Sequence, residues 1–146
     1  MKKTIILTSL CLSVITSFAC TNFIVGKKAS VDGSVMCSYS ADDYGMFQHL
    51  AHFPAGKHAK GEMVKIFDWD TNEYHGEIPQ AEETYNVIGN INEWQVTIGE
   101  TTFGGREEMV DSTGIIDYGS LIYLALQRSK SAREAIKVMT TLAETY

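Results

Sequence analysis

Cys20 is the residue of this sequence that points most directly to chemistry, because the residues before it have the pattern of a cleaved leader. A basic start, Met1–Lys3, precedes an apolar run, Ile5–Phe18, which is too short and too rich in Ser and Thr for a membrane span. Ser17 and Ala19 supply the small side chains that signal peptidases require. We therefore expect cleavage after Ala19 and an exported chain, periplasmic or secreted, that begins with Cys20.

A cysteine in this position carries both a nucleophile and a base. Its thiol reacts as the thiolate, and a cysteine thiol in solution has a pKa of about 8.5. An α-amine titrates at about 7.7–8.0, so it can take the thiol proton and return it to a leaving amine. Asp42 and Asp43 follow the second predicted strand and are candidates to hold that amine. The expected reaction is hydrolysis of an amide through a thioester.

A lipidated cysteine is the alternative of a different class. In lipoproteins, a cysteine directly after the leader is acylated on both sulfur and amine, which removes the base. The recognition sequence for lipidation favours Leu at −3 and a small residue at −2, whereas this chain has Ser17 and Phe18 there. A non-enzymatic cell-surface lipoprotein modified at Cys20 is therefore the weaker hypothesis.

The composition indicates one soluble globular domain and excludes some functions. The chain has 146 residues, 45% hydrophobic and 21% charged, which suits a single core. Its net charge of −6 argues against nucleic-acid binding, since that requires clustered Lys and Arg. No segment after the leader is apolar enough for a membrane span. His49, His52, His58 and His75 lack the spacing of zinc ligands, so we expect no zinc site.

A predicted hairpin positions Cys20. Thr21–Val25 and Val35–Ser40 have strand character, and Asp32-Gly33 between them is a dipeptide typical of hairpin turns. Antiparallel pairing brings residues 39–43 back toward Cys20. Cys37 lies within the apolar Val35–Cys37 run, and we expect it to be a buried core residue rather than a disulfide partner of Cys20.

Strands precede helices in the rest of the chain, which predicts an α+β fold. Apolar residues recur at helical spacing from Tyr118, and Ser131 with Glu134 forms a capping box before a second helix. The expected strands are Met63–Phe67, Tyr85–Ile88 and Gln95–Ile98, and the expected loops and linkers are Pro54–Gly61, Asp68–Gln80 and Asp111–Asp117.

Three groups of segments resemble the C69 family of dipeptidases. These enzymes are N-terminal-nucleophile (Ntn) cysteine hydrolases, related to choloylglycine hydrolases and penicillin V acylases. The first two groups are specific to the family, and the third is a general helical pattern. The similar segments are Cys20–Ser34, then Gly89–Trp94 with Gly99–Arg106, and finally Asp117–Tyr118 with Leu124–Leu126 and Ser131–Ala135.

The resemblance implies an αββα sandwich that hydrolyses dipeptides without a metal or an organic cofactor. By position, Cys20 resembles the nucleophile and Asp42 the carboxylate near the amine. Thr102 falls where relatives place an oxyanion-hole donor, through its backbone N–H. Asn92 is interpreted as support for a turn rather than as a catalytic residue. Amidases for conjugated bile acids or penicillin V are the alternative within the same class.

The sequence departs from the family pattern in two ways. Relatives show Arg-Asn-x-Asp after the second strand, whereas this chain has Tyr39-Ser40-Ala41-Asp42. This leaves open how the thiolate or the substrate carboxylate is held, and Arg106 is one candidate to replace the arginine. Family members are also longer, so we expect residues 20–146 to be the N-terminal part of a single Ntn-hydrolase domain after a signal peptide of residues 1–19.

Overall fold

The structure is a computed structural model that describes residues 20–41, 50–101, 105–111 and 113–146. The described residues divide into two compact units. The first contains residues 20–41 with Glu100 and Thr101, and the second contains the remaining described residues. Strands and helices are both present, which confirms the α+β class.

A hairpin forms the first unit, as predicted. Strand β1 (Thr21–Val25) pairs antiparallel with β2 (Met36–Ser40), from Thr21 opposite Ser40 to Val25 opposite Met36. In the connection, the Asp32 carboxylate accepts a hydrogen bond of 3.0 Å from the backbone N–H of Ser34. Gly33 between them has a φ of +78°, a conformation that glycine adopts without strain.

The second unit contains seven short strands in three small antiparallel sheets. The sheet orders are β3-β8-β9, β4-β7 and β5-β6. The strands are β3 (His52–Phe53), β4 (Gly56–Lys57), β5 (Met63–Phe67), β6 (Tyr74–Pro79), β7 (Glu83–Thr84), β8 (Val87–Ile88) and β9 (Ile91–Asn92).

The prediction of an irregular loop over Asp68–Gln80 is wrong in its second half, which forms β6. The Asp68 carboxylate turns the chain by accepting hydrogen bonds from the backbone N–H and the hydroxyl of Thr71, at 2.7 and 2.8 Å. The returning strand then buries Ile78 beside Ile66 of β5. Pro79 is tolerated because the neighbouring Gln80 N–H makes the ladder bond to the Glu62 carbonyl at 2.8 Å, so the Pro79 nitrogen faces away from β5.

Two further boundaries differ from the prediction. Gly56–Lys57 forms β4 inside the expected loop Pro54–Gly61. The strand β9 lies in the expected connection after Ile88, where it pairs with β8. Gly89 permits this tight return with a φ of +54°. The predicted strand Gln95–Ile98 contributes an isolated bridge from Thr97 to Ile91.

Both predicted helices are present with their caps. Helix α1 (Tyr118–Gln127) begins at Asp117, whose side chain accepts from the Ser120 N–H at 2.8 Å. Helix α2 (Ala132–Thr145) begins at Ser131, whose hydroxyl accepts from the Glu134 N–H at 3.3 Å. Within the described ranges, no helix has the combined length and hydropathy needed to cross a bilayer.

Helix α1 joins the two hydrophobic clusters of the second unit. Leu124 packs with Ile66, Ile78 and Leu142, while Leu126 packs with a second set, Val87, Val96 and Ala135. Burial of each large aliphatic side chain stabilises the fold by roughly 1.5–3 kcal/mol. The helix therefore holds the β5-β6 sheet and the β8 region in one core.

Candidate active site

Cys20 directly precedes β1 and is half-buried. Of the two described cysteines, neither is in a disulfide. Cys37 is exposed, so its predicted burial is wrong. It lies opposite Ile24, and both side chains are solvent-accessible in the hairpin, which explains why an apolar run here does not create a core position.

The strand register places Tyr39 beside Cys20. Tyr39 lies directly opposite Asn22, and Cys20 precedes Asn22 by two residues. Because side chains alternate between the faces of a strand, Cys20, Asn22 and Tyr39 share one face. Diagonal neighbours of this kind are about 7–8 Å apart at their backbones, a span that a tyrosine can bridge. All three residues are half-buried, whereas Ile24 farther along is exposed.

The Tyr39 hydroxyl lies close enough to the side chains of Cys20 and Glu100 for hydrogen bonding with both to raise its pKa. The bond with Cys20 contributes most to raising the pKa of Tyr39 far above its ordinary value of 10.0. Burial, the hydrogen bond with Glu100 and the negative charge of that carboxylate raise it further. The pKa shift keeps the phenol protonated, so the group beside the sulfur is a neutral hydrogen-bond donor.

The other two predicted catalytic residues, Asp42 and Thr102, lie outside the described residues, as do Asp43 and His49. Their roles stay predictions. Arg106 is exposed and belongs to the second unit, and its role as a replacement for the family arginine also stays a prediction.

Asn92 supports the turn region, as predicted, and all of its hydrogen-bonding capacity is used. Its carbonyl oxygen accepts from the backbone N–H groups of Trp94 and Val96, both at 3.0 Å. Its amide donates to the backbone carbonyls of Leu126 and Ser129, at 2.8 and 2.7 Å. The buried side chain thus joins the turn after β9 to the end of α1, which identifies a structural residue.

Two of the three described histidines form hydrogen bonds with polar side chains. His52 Nε2 bonds to Asn86 at 2.8 Å, and His58 bonds to Glu62 at 2.9 Å and to Thr84 at 3.2 Å. Across the part of the chain that the structure describes, no group of three or more His, Cys, Asp or Glu side chains has an arrangement that could hold a metal ion.

Sequence reasoning placed Tyr39 near Cys20 through the predicted hairpin and noted it as a departure from the family pattern, but it gave Tyr39 no role and missed Glu100. The alternation of side chains between the two faces of the predicted hairpin could have identified Tyr39 as a neighbour of the Cys20 side chain, since the predicted strands already placed it near Cys20. Glu100 is 80 residues from Cys20 in sequence, and no local pattern connects the two. Only the folded chain brings Glu100 to the Tyr39 hydroxyl.

The profile of Peptidase family C69 matches residues 19–60 and 46–146 of the chain. An α+β protein with this match is a cysteine peptidase, a hydrolase of peptide bonds. The chain belongs to peptidase family C69, which confirms the resemblance drawn from the sequence motifs. The search of solved structures gives no significant match.

Proposed function

We propose that the protein is an exported dipeptidase in which Cys20, once it is the first residue of the mature chain, is the nucleophile. The observation that carries this proposal is the position of Cys20, with its thiol beside a protonated tyrosine at the start of β1 and inside the family match. A half-buried thiol next to a hydrogen-bond donor is suited to form a thiolate, which is the reactive species.

The reaction proceeds through a thioester. The α-amine of Cys20 takes the thiol proton, and the thiolate attacks the carbonyl carbon of the dipeptide. The tetrahedral intermediate collapses as the C–N bond breaks, and the ammonium group returns its proton to the leaving amine. Water, deprotonated by the same amine, then hydrolyses the thioester and releases the second amino acid.

Asp42 and Thr102 complete the proposed machinery. Asp42 orients the α-amine and stabilises its charged form. The backbone N–H of Thr102 donates to the oxyanion, a contribution worth about 10²–10³ in rate for such donors. The proposed architecture is the αββα sandwich of Ntn hydrolases, in which the β1-β2 hairpin presents the nucleophile.

Analysis of the mature N terminus tests the maturation step. The gene product is expressed with its own leader in a bacterium, and the N terminus is examined by Edman sequencing and intact mass. The expected chain begins at Cys20 with an unmodified amine. Fatty acids on Cys20 would instead establish the lipoprotein, and a start at any other residue would contradict the mechanism.

Substrate assays test the reaction class. A panel of dipeptides is assayed beside glycine-conjugated bile acids and penicillin V, with the Cys20→Ala and Cys37→Ala variants in parallel. Dipeptide hydrolysis should disappear in Cys20→Ala and persist in Cys37→Ala, because Cys37 is an exposed thiol on the same hairpin. Cleavage of the other amides alone would replace the dipeptidase assignment with an amidase.

A further inference from the structure

We propose that Tyr39 is a further catalytic residue, whose hydroxyl donates a hydrogen bond to the Cys20 sulfur and stabilises the thiolate, and that Glu100 competes for the same hydroxyl. This inference rests on the proposed role of Cys20 as the nucleophile. It adds two residues to the site, and Tyr39 touches the reacting atom itself.

The geometry of the hairpin carries the proposal. The antiparallel register puts Tyr39 opposite Asn22 and diagonal to Cys20, on a face that is half-buried at this end. Cys20 and Glu100 belong to the same unit as Tyr39, and both lie near enough to its hydroxyl to raise its pKa through hydrogen bonding. The strands pair without a break from Thr21 opposite Ser40 to Val25 opposite Met36. This continuous ladder fixes the position of Tyr39.

One phenolic proton serves two acceptors. While Cys20 is a thiol, its S–H donates to the Tyr39 oxygen, and the Tyr39 hydroxyl donates to the Glu100 carboxylate. When the thiol proton passes to the α-amine, the Tyr39 hydroxyl turns to the sulfur, which has become the stronger acceptor. Tyr39 keeps its proton throughout and Glu100 stays ionised, so the switch requires no additional acid or base.

The charges around the hydroxyl support this assignment. A hydrogen bond to an ionised acceptor is shorter and roughly twice as strong as one between neutral groups. The raised pKa of Tyr39 agrees with a phenol that faces anionic acceptors, because loss of its proton would place a third negative charge beside them. The charged residues Lys27, Lys28 and Asp32 lie in the connection at the other end of the hairpin.

The pH dependence of thiol alkylation tests the proposal without requiring turnover. The mature chain, which begins at Cys20, is treated with iodoacetamide from pH 6 to 10, and modification of each cysteine is followed by peptide mass spectrometry. In Tyr39→Phe, the profile for Cys20 should move up by about one pH unit, making alkylation near pH 7 about tenfold slower, as expected for loss of a hydrogen bond to a charged group.

Glu100→Gln should move the Cys20 profile in the opposite direction, to lower pH. The variant removes a nearby negative charge and weakens the competitor for the Tyr39 proton, and both effects favour the thiolate. A purely structural role for the two residues would not produce shifts of opposite sign. Dipeptidase activity against pH, where measured, should shift with the alkylation profiles.

Two controls accompany these variants. Cys37 is an exposed thiol on the same hairpin, so its alkylation profile should be the same in every variant. Tyr74→Phe removes an exposed hydroxyl from the second unit and should leave the Cys20 profile unchanged. If Tyr39→Phe also alters the Cys37 profile, the hairpin has been disturbed, and Glu100→Gln, which retains the tyrosine, decides the question.

A Tyr39→Phe profile identical to that of the wild type would overturn the inference, as would shifts of the same sign in both variants. These outcomes are separate from the failure of the proposed function. A chain that shows the opposite shifts but hydrolyses no dipeptide retains the Tyr39–Cys20 interaction and loses the dipeptidase assignment.

Discussion

The side-chain amide of Asn92 donates a hydrogen bond of 2.7 Å to the backbone carbonyl of Ser129, 37 residues later in the chain. The same amide donates to Leu126, and the carbonyl oxygen of Asn92 accepts from two backbone N–H groups of its own turn. The buried carboxamide of Asn92 therefore hydrogen-bonds both to N–H groups of the turn after β9 and to carbonyl groups at the end of α1. A helix end buried among apolar residues needs such a partner.

Asn92→Ala should destabilise the protein by about 3–4 kcal/mol, because it leaves several buried backbone groups without partners. Asn90→Ala is the matched control. Its side chain makes a single hydrogen bond of 2.8 Å, to the Ile98 carbonyl at an exposed position, and its loss should cost at most about 1 kcal/mol. Urea unfolding monitored by circular dichroism measures both. Equal losses in the two variants would contradict the structural role assigned to Asn92.

Gly119→Ala should destabilise α1 despite the higher helix propensity of alanine. A Cβ at this position would overlap Cγ and Cβ of Trp69, so the indole or the helix must move, at a cost of about 1–3 kcal/mol. Gly114→Ala is the control, since the nearest atoms to its Cβ are at 3.8 Å, and little change is expected. Thermal unfolding reports both.

A double-mutant cycle identifies the cause of the Gly119 effect. In a Trp69→Ala background, Gly119→Ala should cost clearly less than it does in the wild type, because the indole that it would strike is absent. Additive losses would show that the close approach of Trp69 is not the reason for the glycine.

Tyr123→Phe should make the protein less sensitive to alkaline pH. Burial raises the pKa of Tyr123 above its ordinary value of 10.0, and the nearby Asp117 carboxylate raises it further. Below pH 10 the phenol is neutral in both states, so its contribution to stability is complete. Above pH 10 the unfolded chain ionises first, and that contribution is lost as the pH rises toward the folded-state pKa.

The measurement is the free energy of unfolding in urea from pH 8 to 11. Tyr123→Phe retains the stacked ring, which lies 4.3 Å from Phe53 between centroids, and its stability should fall less steeply above pH 10 than that of the wild type. Tyr74→Phe, at an exposed position, should follow the wild-type slope. Parallel curves for Tyr123→Phe and the wild type would disprove the assignment.

Asp117→Ala should cost about 1–2 kcal/mol through loss of the cap of α1. The Asp117 carboxylate accepts from the backbone N–H and the hydroxyl of Ser120, both at 2.8 Å. Asp117→Asn retains a capping acceptor and should recover most of the stability. Denaturant titrations distinguish the two variants, and equal destabilisation would mean that capping is not the main role of this carboxylate.

Local signals explain what the sequence predicted well. The capping residue Ser131 marks a helix start because its side chain satisfies an N–H group three residues later, and the same local pattern is visible at Asp117. The β1-β2 hairpin followed from two β-rich segments around Asp32-Gly33. In each case, the interaction that forms the element joins residues close together in the chain, so its pattern can be read locally.

The misplaced elements depend on partners farther away. The strand β6 was predicted as a loop because its residues are polar and aromatic, and its one fully buried large side chain, Ile78, is covered by β5 and by Leu124 of α1. Cys37 was predicted as buried from its apolar neighbours, yet its side chain is exposed. Burial is a property of the packed chain, which a window of sequence does not contain.

By itself, the sequence determined the family, the hairpin, both helices and Cys20 as the candidate nucleophile, because each is written in residues that are contiguous or regularly spaced. Only the tertiary structure decided that Tyr39 and Glu100 lie close enough to Cys20 to interact with it, and that Asn92 joins a turn to the end of α1. Glu100 and Cys20 are 80 positions apart, and the free energy of packing, rather than any local propensity, brings such residues together.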